Sequence, residues 1–142
     1  MATELTDMTL SPSSTAVRPL RVLVVEDEQL IRWAVAETLT GAGHRVIEAP
    51  DAATALRAVS QTAEPFDVVL LDSRLPDSDD LSLVERIRRE APASALVMMT
   101  AYGTPQMAEH ARQLGVYEII AKPFDVGVLE DVIVKAYQSK TH

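Results

Sequence analysis

The chain has 142 residues, 47% of them hydrophobic and 24% charged, with a formal net charge of −8; that length suits one domain with a sizeable core, since chains of roughly 150 residues bury about 68–70% of their unfolded surface. The composition is that of a globular protein, which argues against disorder throughout, and no apolar run approaches the ~20 residues of a membrane helix. With 0 Cys there is no disulfide, thiol catalysis or thiolate metal site, and 21 acidic against 13 basic residues disfavour direct binding of nucleic acid.

Residues 1–19, MATELTDMTLSPSSTAVRP, are rich in Thr, Ser and Pro and show no apolar period, so they read as a solvated tail rather than a secretory signal. The structured domain is expected over 20–139, with a short C-terminal tail at 140–142. Short apolar runs then mark five strands: Val22 to Val25, Val46-Ile47, Phe66 to Leu71, Ala95 to Met99 and Val116 to Ile120. The third is apolar on consecutive residues, the mark of a strand buried on both faces.

Helical stretches separate them, with apolar residues at three- and four-residue steps. Leu30, Ile31, Ala34, Val35 and Leu39 are expected on the core face of the first, and Ala52, Ala55, Leu56 and Val59 on that of the second. Leu83, Val84 and Ile87 serve the third, Met107, Ala108, Ala111 and Leu114 the fourth, and Val128, Leu129, Val132, Ile133 and Ala136 the fifth. Asp51 and Asp125 are placed as N-caps, and Gly43 and Gly115 follow helix ends. Strands each followed by a helix imply right-handed crossovers and a parallel sheet covered on both faces. The expected fold is a three-layer α/β/α domain.

Open parallel sheets place ligands beyond the carboxyl ends of their strands. Strand one ends in Glu26-Asp27-Glu28, strand three in Asp72-Ser73-Arg74, strand four in Thr100-Ala101 and strand five in Lys122-Pro123. Asp27 and Asp72 would end neighbouring strands, and like charges a few Å apart call for a cation. Oxygen ligands without His or Cys select Mg²⁺ over zinc. A hydroxyl and an ammonium beside such a site suit the oxygens of a phosphoryl group. Taken singly, Glu28 reads as a helix cap or solvated charge, Thr100 as a cap and Lys122 as a surface charge; together they do not.

VLVVEDE, VVLLDSRLP, MMTAYG and AKPF, in this order and spacing, resemble a response-regulator receiver domain of two-component signalling, with a closer likeness to receivers of NtrC-type regulators. The resemblance covers Leu20 to about Tyr137. It implies a CheY-like, flavodoxin-like fold with a five-stranded parallel sheet in the order 2-1-3-4-5. It implies a cytoplasmic signalling protein, not an enzyme, in which Asp72 accepts a phosphoryl group from a histidine kinase or phosphotransfer protein. Mg²⁺ would be bound by Asp27, Asp72, the backbone carbonyl of Arg74 and, through water, Glu26. Thr100 and Lys122 would bind phosphoryl oxygens, and the Lys122–Pro123 bond would be cis. A downstream protein target and homodimerisation on phosphorylation follow from the same likeness, with no nucleic acid or membrane contacted directly.

Two positions depart from the family. Ile119 stands where Tyr or Phe is usual three residues before the lysine, and Asp80 stands where Gly is common. An aromatic flip at 119 is therefore unavailable, and the response is expected in the loop from Thr100 to Pro105 and the start of the fourth helix. An aspartate-nucleophile phosphatase would need an acid where Arg74 stands, and a dinucleotide site would need glycines where Glu26-Asp27-Glu28 stand. His44, His110 and His142 have no ligand spacing. The remaining alternative is a receiver-like binding module that works without phosphorylation. Trp33, opposite the first helix's core face, is either a ring lying along its own helix or a docking contact for the kinase. Output leaves through protein contacts, or the chain is a piece of a longer regulator.

Overall fold

Five strands alternate with five α-helices in a computed structural model that describes residues 18–78 and 80–140. In chain order they are β1 (Arg21–Val25), α1 (Gln29–Gly41), β2 (Arg45–Ala49), α2 (Ala52–Gln61), β3 (Val68–Asp72), α3 (Ser82–Glu90), β4 (Ala95–Thr100), α4 (Pro105–Gln113), β5 (Val116–Ala121) and α5 (Leu129–Lys140), the last preceded by a 3₁₀ turn at Val126–Val128. All strand pairs are parallel, and the sheet order is β2-β1-β3-β4-β5, the 2-1-3-4-5 order expected.

Each strand of the sheet's centre divides its residues between two cores. Leu23, Val25, Val69, Leu71, Leu96 and Met98 face α2, α3 and α4. Val22, Val24, Val68, Leu70, Val97 and Met99 face α1 and α5. β3 is buried at every position, which explains its unbroken apolar run: with helices on both faces, neither side of the pleat meets water. The outer strands β2 and β5 are largely exposed.

Local chemistry fixes where helices start and stop. Asp51 accepts a hydrogen bond from Thr54 N, while Asp77, reaching over from the loop after β3, accepts from Ala52 N and Ala53 N at 2.8 and 3.0 Å. Three of the four unpaired amides of α2 are thereby satisfied. Thr104 caps α4, with Pro105 in its first turn; Asp125 caps the 3₁₀ turn. Gly115 follows α4 at φ +101°, with the Arg88 side chain lying where a Cβ would project, so a side chain is excluded there on two counts.

Two expected core residues lie at the surface. Leu30 is 80% exposed and Val128 46% exposed. At about 100° per residue Leu30 lies about 140° round the helix from Val35 and opposite Leu39, so α1 buries Val35, Ala36 and Leu39 and turns Leu30 out. Val128 belongs to the 3₁₀ turn rather than to the face of α5. Of the segment read as a tail, 1–17 lies outside the described residues, as do 141 and 142; Arg18 pairs with Asp67 at 3.0 Å and stacks on Tyr137. Lys140 belongs to α5 rather than to the C-terminal tail. His44 is buried, its Nδ1 accepting from Leu20 N and its Nε2 facing Glu130 at 3.2 Å, so it ties β1 to α5. Among the described residues no helix is long and apolar enough to cross a membrane.

Leu70→Ala is expected to lower unfolding free energy by about 2–5 kcal/mol, the range for emptying a buried leucine site, whereas Leu30→Ala should stay within about 0.5 kcal/mol. Urea denaturation of the two variants checks the assignment of core and surface.

Candidate functional site

Strand register assembles the site. Val25 pairs with Leu71, so Glu26 follows beside Asp72; Asp72 pairs with Met99 and Thr100 with Ala121. The last strand residues, or those just after them, thus bring Glu26, Asp27, Asp72, Thr100 and Lys122 to one edge of the sheet. Glu26, Asp72 and Thr100 are buried, while Asp27 is exposed.

One carboxylate oxygen from each of Glu26, Asp27 and Asp72 lies within 4.8 Å of the others. The Lys122 ammonium donates to Glu26 Oε1 at 2.7 Å and to Asp72 Oδ2 at 2.9 Å, and its distance to Glu28 is 3.9 Å. Arg74 N donates to Asp72 Oδ1 at 3.2 Å and Glu28 N to Glu26 Oε2 at 3.0 Å. The Lys122–Pro123 peptide is cis, and Lys122 N donates to Thr100 O at 2.8 Å. The three carboxylates can hold a metal ion. Their donors are all hard oxygens without a nearby imidazole or thiolate, which fits a hard divalent cation.

Burial pushes the Glu26 carboxyl up to about 7, and the neighbouring Asp72 charge adds to this against the hydrogen bonds from Lys122 and Glu28 N. Burial alone would lower the Lys122 ammonium, yet its hydrogen bonds to Glu26 and Asp72 prevail and hold it above its ordinary value. The half-buried Lys122 ammonium thus lies between the buried carboxylates of Glu26 and Asp72.

The Thr100 hydroxyl is engaged elsewhere: it accepts from Ser73 Oγ at 2.9 Å and from Tyr102 N at 3.2 Å. The Arg74 guanidinium lies 5.2 Å from the centre of the Tyr102 ring. Glu28 precedes α1 with no side-chain cap bond, and Asp80 accepts from Ser82 N, which holds its carboxyl below its usual range. Ile119 packs half-buried against the α2–α3–α4 core, while Tyr117 is 41% exposed. Ser73, Tyr102 and Asp77 carry no sequence signal for these contacts, because each depends on which loop lies opposite.

A family model described as the response regulator receiver domain matches residues 22–134. The chain belongs to the response regulator receiver domain family. Two curated relatives and one solved structure illustrate the likeness. Sporulation initiation phosphotransferase F of Bacillus subtilis is 30% identical over 86% of this chain and 97% of its own length. The DNA-binding transcriptional regulator NtrC of Escherichia coli is 34% identical over 74% of this chain and 22% of its own. A CheY-like receiver domain protein from Methanospirillum hungatei superposes with a TM-score of 0.81 at 24% identity, covering 87% of this chain and 98% of that one. The receiver spans about a quarter of the length of several curated relatives it matches.

Glu26 gives the metal-free receiver a pH signature. Below about pH 4.5 both folded and unfolded forms bind its proton; between there and about 7 only the folded form does. Stability should therefore fall as pH rises through that window. Thermal melts in chelator are expected to show a smaller loss between about pH 5 and pH 8 for Glu26→Gln than for wild type; equal losses would contradict this origin.

Proposed function

We propose that the receiver takes a phosphoryl group from a histidine kinase or phosphotransfer protein onto Asp72, with Mg²⁺, and switches conformation to control a protein partner. The observation that carries this reading is the Asp72 carboxylate at the meeting point of the acidic cluster and the Lys122 ammonium. Asp27 and Asp72 would hold the metal directly, with the Arg74 carbonyl, and Glu26 through water. Mg²⁺ supplies neutralisation of charge on the phosphoryl oxygens and the carboxylates.

The residues of the chain divide the remaining work. An Asp72 oxygen attacks phosphorus, an O–P bond forms and the donor's P–N bond breaks, its electron pair staying with the imidazole nitrogen. The Lys122 ammonium, already hydrogen-bonded to Asp72, is placed to bind the phosphoryl oxygens, and Thr100 supplies a hydroxyl from the next strand. Removing solvent from around these groups strengthens their attraction for the transferred charge.

An apolar groove beside the site supports docking of a helical phosphodonor. Leu30, Ile31, Ala34, Phe124 and Val126 line an apolar groove of about 410 Å³ that also touches Lys122. The exposure of Leu30 on α1 supports the same docking face. No observation favours the binding module that works without phosphorylation.

Asp72→Asn keeps the shape of the side chain and removes the nucleophile; it should fold and gain no phosphoryl mass from acetyl phosphate with Mg²⁺. Asp27→Asn should label at least tenfold more slowly and bind Mg²⁺ more weakly, since one hard anionic ligand is lost. Intact-protein mass spectrometry and Mg²⁺ titration read both. Wild-type labelling of Asp72→Asn would place the acceptor elsewhere.

A further inference from the structure

Thr100 is 4% exposed, and both lone pairs of its hydroxyl are used by resting-state donors, Ser73 Oγ and Tyr102 N. Among the described residues no hydrogen bond joins Thr100 to Asp72. The two residues that follow Asp72 both grip the loop after β4: Ser73 holds the Thr100 hydroxyl, and Arg74 lies over the Tyr102 ring. Between the two loops lies a cavity of about 210 Å³ lined by Ser73, Arg74, Leu81, Thr100, Tyr102 and Met107. The loop has room to rearrange there without opening either core. Gly103 leaves free the space beside Thr100 that a side chain would crowd, since a Cβ there would lie 3.0 Å from the Thr100 methyl.

We propose that Ser73 and Arg74 are positioning residues that hold Thr100 and Tyr102 in the resting arrangement and thereby set how tightly the receiver takes a phosphoryl-like anion at Asp72. The inference rests on the phosphoacceptor reading above. A Thr100 hydroxyl that turns to a phosphoryl oxygen leaves its Ser73 partner, so the Ser73–Thr100 bond stabilises only the resting state. A contact made in one of two states biases their equilibrium by its full differential free energy. Removing it therefore favours the anion-bound state. The Arg74–Tyr102 stack acts in the same direction, because Tyr102 N is itself tied to the Thr100 hydroxyl.

The test is a titration with beryllofluoride at saturating Mg²⁺, followed by NMR of wild type, Ser73→Ala, Ser73→Thr and Arg74→Ala. Ser73→Ala should bind roughly two- to tenfold more tightly, as expected for loss of one neutral hydrogen bond. Ser73→Thr, which restores a hydroxyl, should return to wild-type affinity, a rescue that a general packing effect would not give. Arg74→Ala should gain roughly two- to fivefold, the range for an exposed cation–π contact. Mg²⁺ affinity without beryllofluoride should be unchanged in Ser73→Ala and Ser73→Thr. Wild-type or weaker affinity in Ser73→Ala overturns the role of Ser73; weaker affinity in Arg74→Ala places the guanidinium on the bound anion and overturns that of Arg74. A wild-type protein that binds no beryllofluoride contradicts the phosphoacceptor reading itself, which separates the two failures.

Discussion

One half-buried ammonium holds the functional end of the molecule together. Lys122 reaches from the end of β5 across the sheet to Glu26 after β1 and Asp72 at the end of β3. Without it, the carboxylates of two adjacent strands would face each other with no counter-charge in a space from which water is largely excluded. Its removal would leave charges uncompensated in the interior, the situation in which breaking a buried pair is most damaging. The same pairing defines the site's chemistry, since a cation already at Asp72 is a cation ready for the oxygens of an incoming anion.

The rest of the fold serves that convergence. Parallel register sends the carboxyl ends of β1, β3, β4 and β5 to one edge, and the two cores hold that register because a one-residue slip would exchange the side chains packed in one core for those of the other. Glu26 and Asp72 are buried because α1, α5 and the loops cover strands that are apolar on both faces. Their burial, in turn, raises the Glu26 carboxyl to about 7. Stability is thus traded locally for a poised acidic cluster, as functional sites commonly require.

The pattern of the residues made much of this legible. Consecutive apolar residues at Val68 to Leu71 identify a central strand, and the rule that ligands lie beyond strand ends selects Glu26, Asp27, Asp72, Thr100 and Lys122 before any geometry is known. Periodicity was less informative at helix edges: Leu30 sits one step from Ile31 in the chain but on the far side of α1 from Leu39. The contacts between loops had no local signature at all. Asp77 satisfies the first amides of α2, and Ser73 meets Thr100, only because β3 lies between β1 and β4 in the sheet. Ile119, a departure visible in the sequence, packs partly buried against the core.

The central claim is that the carboxylate of Asp72, and no other group, receives the phosphoryl. An acyl phosphate is reduced by borohydride to an alcohol, so wild-type protein labelled with Mg²⁺ and acetyl phosphate, then treated with borotritide and digested, reports its acceptor as a labelled homoserine. The account predicts tritium in the peptide that spans Val68–Asp72, with homoserine at position 72. Label confined to Asp27, Glu26 or any residue away from the rim would contradict it.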